Sequence, residues 1–128
     1  MSDAPNAMQT HGAPSWIQHN SENPAEARRF YQQVLGWNVE DVPMKAGGTY
    51  SVIKVGEMPV GGFNPVPESE PSWLNYITVE DVDACVDRAE SLAAKVLKPC
   101  DDYPGVGRIA VIQDPLGAVI ALITYEQS

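Results

Sequence analysis

YSVIKVGEMPVGGF (50–63) and RIAVIQDPLGAVIA (108–121) are two apolar hairpins, each bent at a turn, that lie 58 residues apart. At that offset Glu57-Met58-Pro59 falls over Pro115-Leu116-Gly117. Working outward, the same spacing relates Trp16 to Leu74, Asn23 to Asp81 and Gly36 to Ala94. A repeat of architecture decides the fold before any single element does. Each copy reads as a strand, a helix and then two or three strands, and two copies fill the chain.

The local chemistry of each copy supports that order. Residues 15–20 form a short strand. Asn23 suits a helix N-cap and Pro24 the first helical position, where its missing N–H costs nothing. Ala27, Phe30, Tyr31, Val34 and Leu35 recur at helical spacing until Gly36 ends the run. Residues 37–42, 49–55 and 60–64 read as strands, and the proline-rich NPVPESEPS (64–72) as a joining segment. In the second copy residues 74–79 are a strand, and Asp81 caps a helix bearing Val82, Cys85, Val86, Ala89, Leu92 and Ala93 at i, i+3, i+4 spacing. Residues 95–98, 108–113 and 119–124 complete it. The expectation is an α+β fold of two tandem βαβββ units. One domain spans 14–128, with unit one at about 14–64, a linker at 65–72 and unit two at about 73–126. Residues 1–13, polar and small, are expected to be a flexible tail.

Composition bounds the function. The 128 residues suffice for one domain with a core of its own. Eight basic against 17 acidic residues leave a net charge of −9, a field that repels phosphate backbones and anionic lipid. Nucleic-acid and membrane partners are therefore not expected. No apolar stretch is long enough to span a bilayer and no charged-then-apolar leader opens the chain, which points to the cytoplasm. Cys85 falls on the apolar helix face and Cys100 in a loop, and neither has a base or metal partner nearby in sequence.

Three segments carry a resemblance. NPAEARRFYQQVLGW (23–37), VEDVDACVDRA (79–89) and DPLGAVIAL (114–122) occur in order on the repeat, and together they resemble the vicinal oxygen chelate superfamily of glyoxalases, bleomycin-resistance proteins and extradiol dioxygenases. The resemblance covers residues 15–125. It implies a curled, cleft-containing mixed sheet with a helix outside each unit, and a homodimer as the common assembly.

Metal-dependent members of that superfamily carry ligands on the first and last strand of each unit. Counting from the motifs puts Trp16, Phe63, Leu74 and Ala121 at those positions, with Gly61 or Gly62 in place of Phe63 if the register slips. None of the four side chains suits a divalent cation. The expectation is a member without metal or other cofactor. Strand alternation sets Trp16, Gln18 and Asn20 on one face and Ile17 and His19 on the other. The expected ligand face comprises Trp16, Gln18, Phe63, Leu74, Tyr76, Thr78 and Ala121. Arg108 would serve as an anion anchor, with Tyr50 and Tyr103 in loops that close over an occupant. An apolar cleft with a few polar groups is how small-molecule sites are built. The reading is a protein that binds a small, partly aromatic molecule without a metal. Two alternatives stay open: a metal-dependent lyase or dioxygenase with shifted ligands such as Gln18 and His19, and a metal-free enzyme on the same cleft.

Overall fold

The computed structural model describes residues 6–45 and 47–126. Eight strands of mixed sheet and two helices make an α+β chain in the order β1 (Pro14–Asn20), α1 (Pro24–Leu35), β2 (Asn38–Pro43), β3 (Thr49–Val55), β4 (Met58–Phe63), β5 (Ser72–Thr78), α2 (Val82–Ser91), β6 (Lys95–Tyr103), β7 (Gly107–Gln113) and β8 (Val119–Tyr125). The chain divides into two compact units, one of residues 16–74, the other joining the N-terminal stretch through Ser15 to residues from Asn75 onward.

In the unit of residues 16–74 the strands run in the order β2-β3-β4-β1. β1 pairs with β4 in parallel, Ile17 opposite Gly61, Gln18 opposite Gly62 and His19 opposite Phe63. The Asn23 side chain accepts from the Glu26 N–H to cap α1, and Gly36, at φ 69°, closes it in the left-handed conformation that glycine adopts without strain. The apolar stripe on α1 is split. Tyr31 packs with His19, Phe63, Trp37 and Trp73. Phe30, Val34 and Leu35 remain 56%, 59% and 53% exposed, and no residue of α1 is fully buried. Arg28 ties the helix to the sheet through Asp41 at 2.9 Å and Ser51 at 3.4 Å.

The other unit has the strand order β5-β8-β7-β6, with β5 and β8 parallel. Asp81 caps α2 by accepting from the Ala84 N–H. Val82 and Val86 of the helix meet Val79, Ala110, Ile112 and Leu122 in a buried core. Residues 6–13, expected to be a loose tail, are instead docked in this unit. They carry a 3-10 turn at Ala7–Gln9, the Gly12 N–H donates to the Thr78 carbonyl and the Thr78 N–H to the Ala13 carbonyl. The His11 Nδ1 accepts from the Glu80 N–H at 3.0 Å. Backbone groups at the end of β5 thereby find partners. Residues 1–5, the rest of the expected tail, lie outside the described residues.

The offset of 58 relates the opening strands, β1 and β5 beginning and ending 58 positions apart. In the hairpins the pairs Val52–Gly62 and Val111–Ala121 correspond, as do Ser51–Phe63 and Ala110–Leu122, all at an offset of 59. A net gain of one residue between the start of α2 and β7 accounts for the change. Since strand side chains alternate, a shift of one moves every assigned side chain to the opposite face.

Candidate functional site

That shift corrects the expected ligand face. Phe63, counted onto the face of Trp16, lies on the other side with His19. Its ring is 2% exposed and its centroid sits 5.6 Å from that of His19. Gly62 takes its place opposite Gln18. Around His19 the rings of Trp73, Tyr31 and Phe63 stand with centroids 4.7, 5.6 and 5.6 Å away, and the buried His19 Nδ1 finds no hydrogen-bond partner among the described residues. Burial in this box holds the imidazole pKa below its ordinary value.

The opposite face of β1 carries a polar ladder. The Trp16 Nε1–H donates to the Tyr50 hydroxyl at 3.3 Å, and that hydroxyl donates to Gln18 Oε1 at 3.0 Å. Gln18 Nε2 donates to Asn20 Oδ1 at 3.1 Å, which also receives Asn64 Nδ2 at 3.0 Å. Asn20 Nδ2 in turn donates to Ser72 Oγ at 3.3 Å. Trp16 and Gln18 are half-buried, while Asn20 is buried. Tyr50, expected in a loop, belongs to β3, and its ring lies over Gly62. Alternation had grouped Trp16, Gln18 and Asn20. From the sequence Tyr50 is expected as a group closing over an occupant and Gly62 as the position a register slip would reach, and Asn64 is missed; the Gly61-Gly62 pair signals a close approach.

The remaining expected residues fare differently. Tyr76 pairs with Ala121 and Thr78 with Ile123, so Tyr76, Thr78 and Ala121 share a face as the alternation required. They are closed off, however, at 9%, 5% and 0% exposure. The Thr78 hydroxyl is engaged with the Ala7 carbonyl at 2.7 Å and Ser15 Oγ at 2.8 Å. These three side chains fill the sheet face rather than offering it. Leu74 is half-buried at the start of β5. Arg108 is no anion anchor. It lies in β7, where its Nε and Nη2 hold the two carboxylate oxygens of Asp83 on α2 at 2.7 and 2.9 Å and its Nη1 reaches Asp102 at 3.1 Å. Two carboxylates have neutralised the cation. Hydrogen bonds from Arg108 and from the Cys100 thiol hold the Asp83 pKa down at about 2, and burial with the Asp83 contact pushes the Cys100 thiol up.

Two recesses open in the unit that carries α2. One of about 320 Å³ is lined by Met8, Gln9, His11, Thr78, Val79, Glu80, Thr124 and Tyr125. The other, of about 460 Å³, includes Asp102, Tyr103, Arg108 and Glu126. Burial raises the Tyr125 pKa, against the pull of its hydrogen bond with Ser15.

The metal implied by the resemblance does not fit the side chains present. Gln18 faces a glycine across the strand pair, and the space above that glycine is filled by a phenol. Gln18 and His19, the shifted ligands of the alternative reading, project to opposite faces of β1 and cannot share an ion. Among the described residues no three histidines, cysteines or carboxylates cluster.

Comparison with known proteins agrees with this fold. The model of the glyoxalase-like domain matches residues 16–123. CFP32 of Mycobacterium tuberculosis, whose name carries the word glyoxylase, is 33% identical over 117 residues, covering 87% of this chain and 45% of that protein. The anthracycline biosynthesis protein DnrV of Streptomyces peucetius is 28% identical over 127 residues, covering 87% of this chain and 46% of its own. The chain thus spans about half the length of the curated relatives it matches. Among solved structures, methylmalonyl-CoA epimerase of Mycobacterium tuberculosis superposes with a TM-score of 0.63 at 15% identity over 93% of this chain and 92% of its own. Helix caps, parallel strand pairs and the family match converge, and the chain belongs to the glyoxalase-like domain family within the vicinal oxygen chelate superfamily.

Proposed function

We propose that this glyoxalase-like protein binds a small, partly aromatic molecule without a metal, on the face of β1 that carries Trp16 and Gln18. The observation that supports this is the half-buried indole of Trp16 beside an amide whose partners are fixed. A flat apolar surface next to one oriented polar group is the usual composition of a small-molecule site. We further read the fold as two tandem βαβββ units whose curled sheet makes the cleft, with the cytoplasm as the compartment. The names of CFP32 and DnrV tie those relatives to small-molecule chemistry and are compatible with this reading.

A thermal-shift screen of metabolites tests it. A ligand at ~100 times its dissociation constant adds ~2.7 kcal/mol to stability. The best hit should stabilise the protein, and Trp16→Ala should abolish that shift while the fold stays intact. An unchanged affinity in the variant places the site elsewhere, and turnover of the hit by the protein favours the metal-free enzyme.

The assembly we propose is a homodimer. The exposed Phe30, Val34 and Leu35 on α1 give an apolar motive for self-association. Sedimentation at tens of micromolar should show about twice 13.9 kDa, and a 13.9 kDa species alone rejects it.

A further inference from the structure

We propose that Tyr50, seated over Gly62, sets the ligand preference of this face by fixing the Gln18 amide as a hydrogen-bond donor to a neutral carbonyl oxygen. The inference rests on the binding reading above and names the chemistry of the bound molecule.

A glutamine amide alone is ambiguous, because rotation by half a turn exchanges its oxygen and its NH2. Here both ends of the ladder are groups that can only donate. At one end the Val66 backbone N–H donates to Asn64 Oδ1 at 3.0 Å. Asn64 must therefore offer its NH2 to Asn20 Oδ1, and it also reaches Glu68 at 3.3 Å, an acceptor. With Asn20 Oδ1 fixed as an acceptor, Gln18 meets it with Nε2. At the other end the indole N–H of Trp16 can only donate, so the Tyr50 oxygen accepts it and sends its own proton to Gln18 Oε1. Both ends impose the same orientation on Gln18.

An amide NH2 has two hydrogens, and Asn20 takes one. Among the described residues no further hydrogen bond engages Gln18 beyond Tyr50 and Asn20. The second N–H is what the amide presents beside the Trp16 ring. It selects an oxygen acceptor next to a flat apolar group. The net charge of −9 disfavours an anion, leaving a neutral aryl ketone or aldehyde as the fitting class.

Gly62 makes this possible. A β-carbon there would lie 2.3 Å from Tyr50 Cε2 and from its hydroxyl, so any side chain displaces the phenol that orients Gln18. Gly62 and Tyr50 are thus positioning residues, acting on a ligand through Gln18.

The test uses acetophenone and α-methylstyrene, which differ by exchange of the carbonyl oxygen for a CH2 group. Titrations would follow the Gln18 side-chain amide and the Trp16 indole resonances by NMR. The wild-type protein should prefer the ketone by about tenfold, the value of one oriented hydrogen bond. Tyr50→Phe should reduce that preference severalfold, because the Asn20 end alone then holds the amide, with the affinity for α-methylstyrene retained, and Gly62→Ala should do the same. If Gly62→Ala fails to fold, Tyr50→Phe alone decides. A preference undiminished by Tyr50→Phe overturns the inference, as does a wild-type protein that binds both probes equally. A wild-type protein that binds neither overturns the binding-site reading, and the inference falls with it.

Discussion

The phenol of Tyr50 occupies the space in which Gly62 would carry a side chain, and a β-carbon built on Gly62 would stand 2.3 Å from the ring. This packing predicts a coupled pair. Gly62→Ala should cost about 1–3 kcal/mol, the usual range for overpacking, because the ring must leave its place. In a Tyr50→Ala background the same substitution should cost almost nothing. Urea midpoints of the four proteins measure the coupling, and equal costs in both backgrounds would mean that the two residues do not compete for space.

His19 predicts a pH dependence. Its pKa in the folded protein is lowered from about 6.5 by burial among Tyr31, Phe63 and Trp73. The unfolded chain therefore binds the proton more readily. The stability held by neutral His19 is present above pH ~6.5 and is lost as pH falls below it. The urea midpoint should drop between pH 7.5 and 5.5 more in the wild-type protein than in His19→Phe. Parallel profiles would show that the box tolerates the charged imidazole.

Asp83 also loses its contribution as pH falls, but in a more acidic window. With its folded pKa at about 2 against an ordinary 3.8, the carboxylate contributes above pH ~4 and the contribution disappears as pH falls from ~4 toward ~2. Asp83→Asn should flatten acid unfolding within that window alone. Both partners are solvent-exposed, so the effect near neutrality should be small. Arg108→Gln should leave ligand affinity unchanged; a loss of affinity would restore Arg108 as an anchor.

Ala93, at φ 76°, is the one described non-glycine residue in the left-handed region, just past α2. A β-carbon there is strained by ~1–2 kcal/mol. Ala93→Gly should raise stability by ~0.5–1 kcal/mol after the added entropy of the unfolded chain is offset. Destabilisation of any size would mean that the Ala93 methyl makes contacts worth more than its strain.

Much of the fold was legible because its signals are local. Asn23-Pro24 and Asp81 mark helix starts by side chains that cap backbone N–H groups, and both caps form. Alternation on β1 correctly separated Trp16, Gln18 and Asn20 from His19. Phe63 was misplaced because its assignment came by carrying an offset across a one-residue change in loop length, which composition does not reveal. Arg108 was expected among loop groups, and its pairing with Asp83 of α2 is a contact between distant residues that residue type does not reveal. The docking of residues 6–13 depends on backbone bonds at Thr78, and main-chain groups leave no trace in residue type. The ladder from Gln18 to Tyr50 required knowing that β1 lies beside β4 in parallel, a long-range fact outside the reach of periodicity.

The most direct test of the central claim is where a ligand sits. Intermolecular NOEs between the best hit of a metabolite screen and the protein should connect the ligand to the Trp16 indole and the Gln18 side-chain amide. NOEs that instead connect it to Met8, His11 and Tyr125, around the recess of about 320 Å³, would contradict the assignment of the β1 face as the binding site.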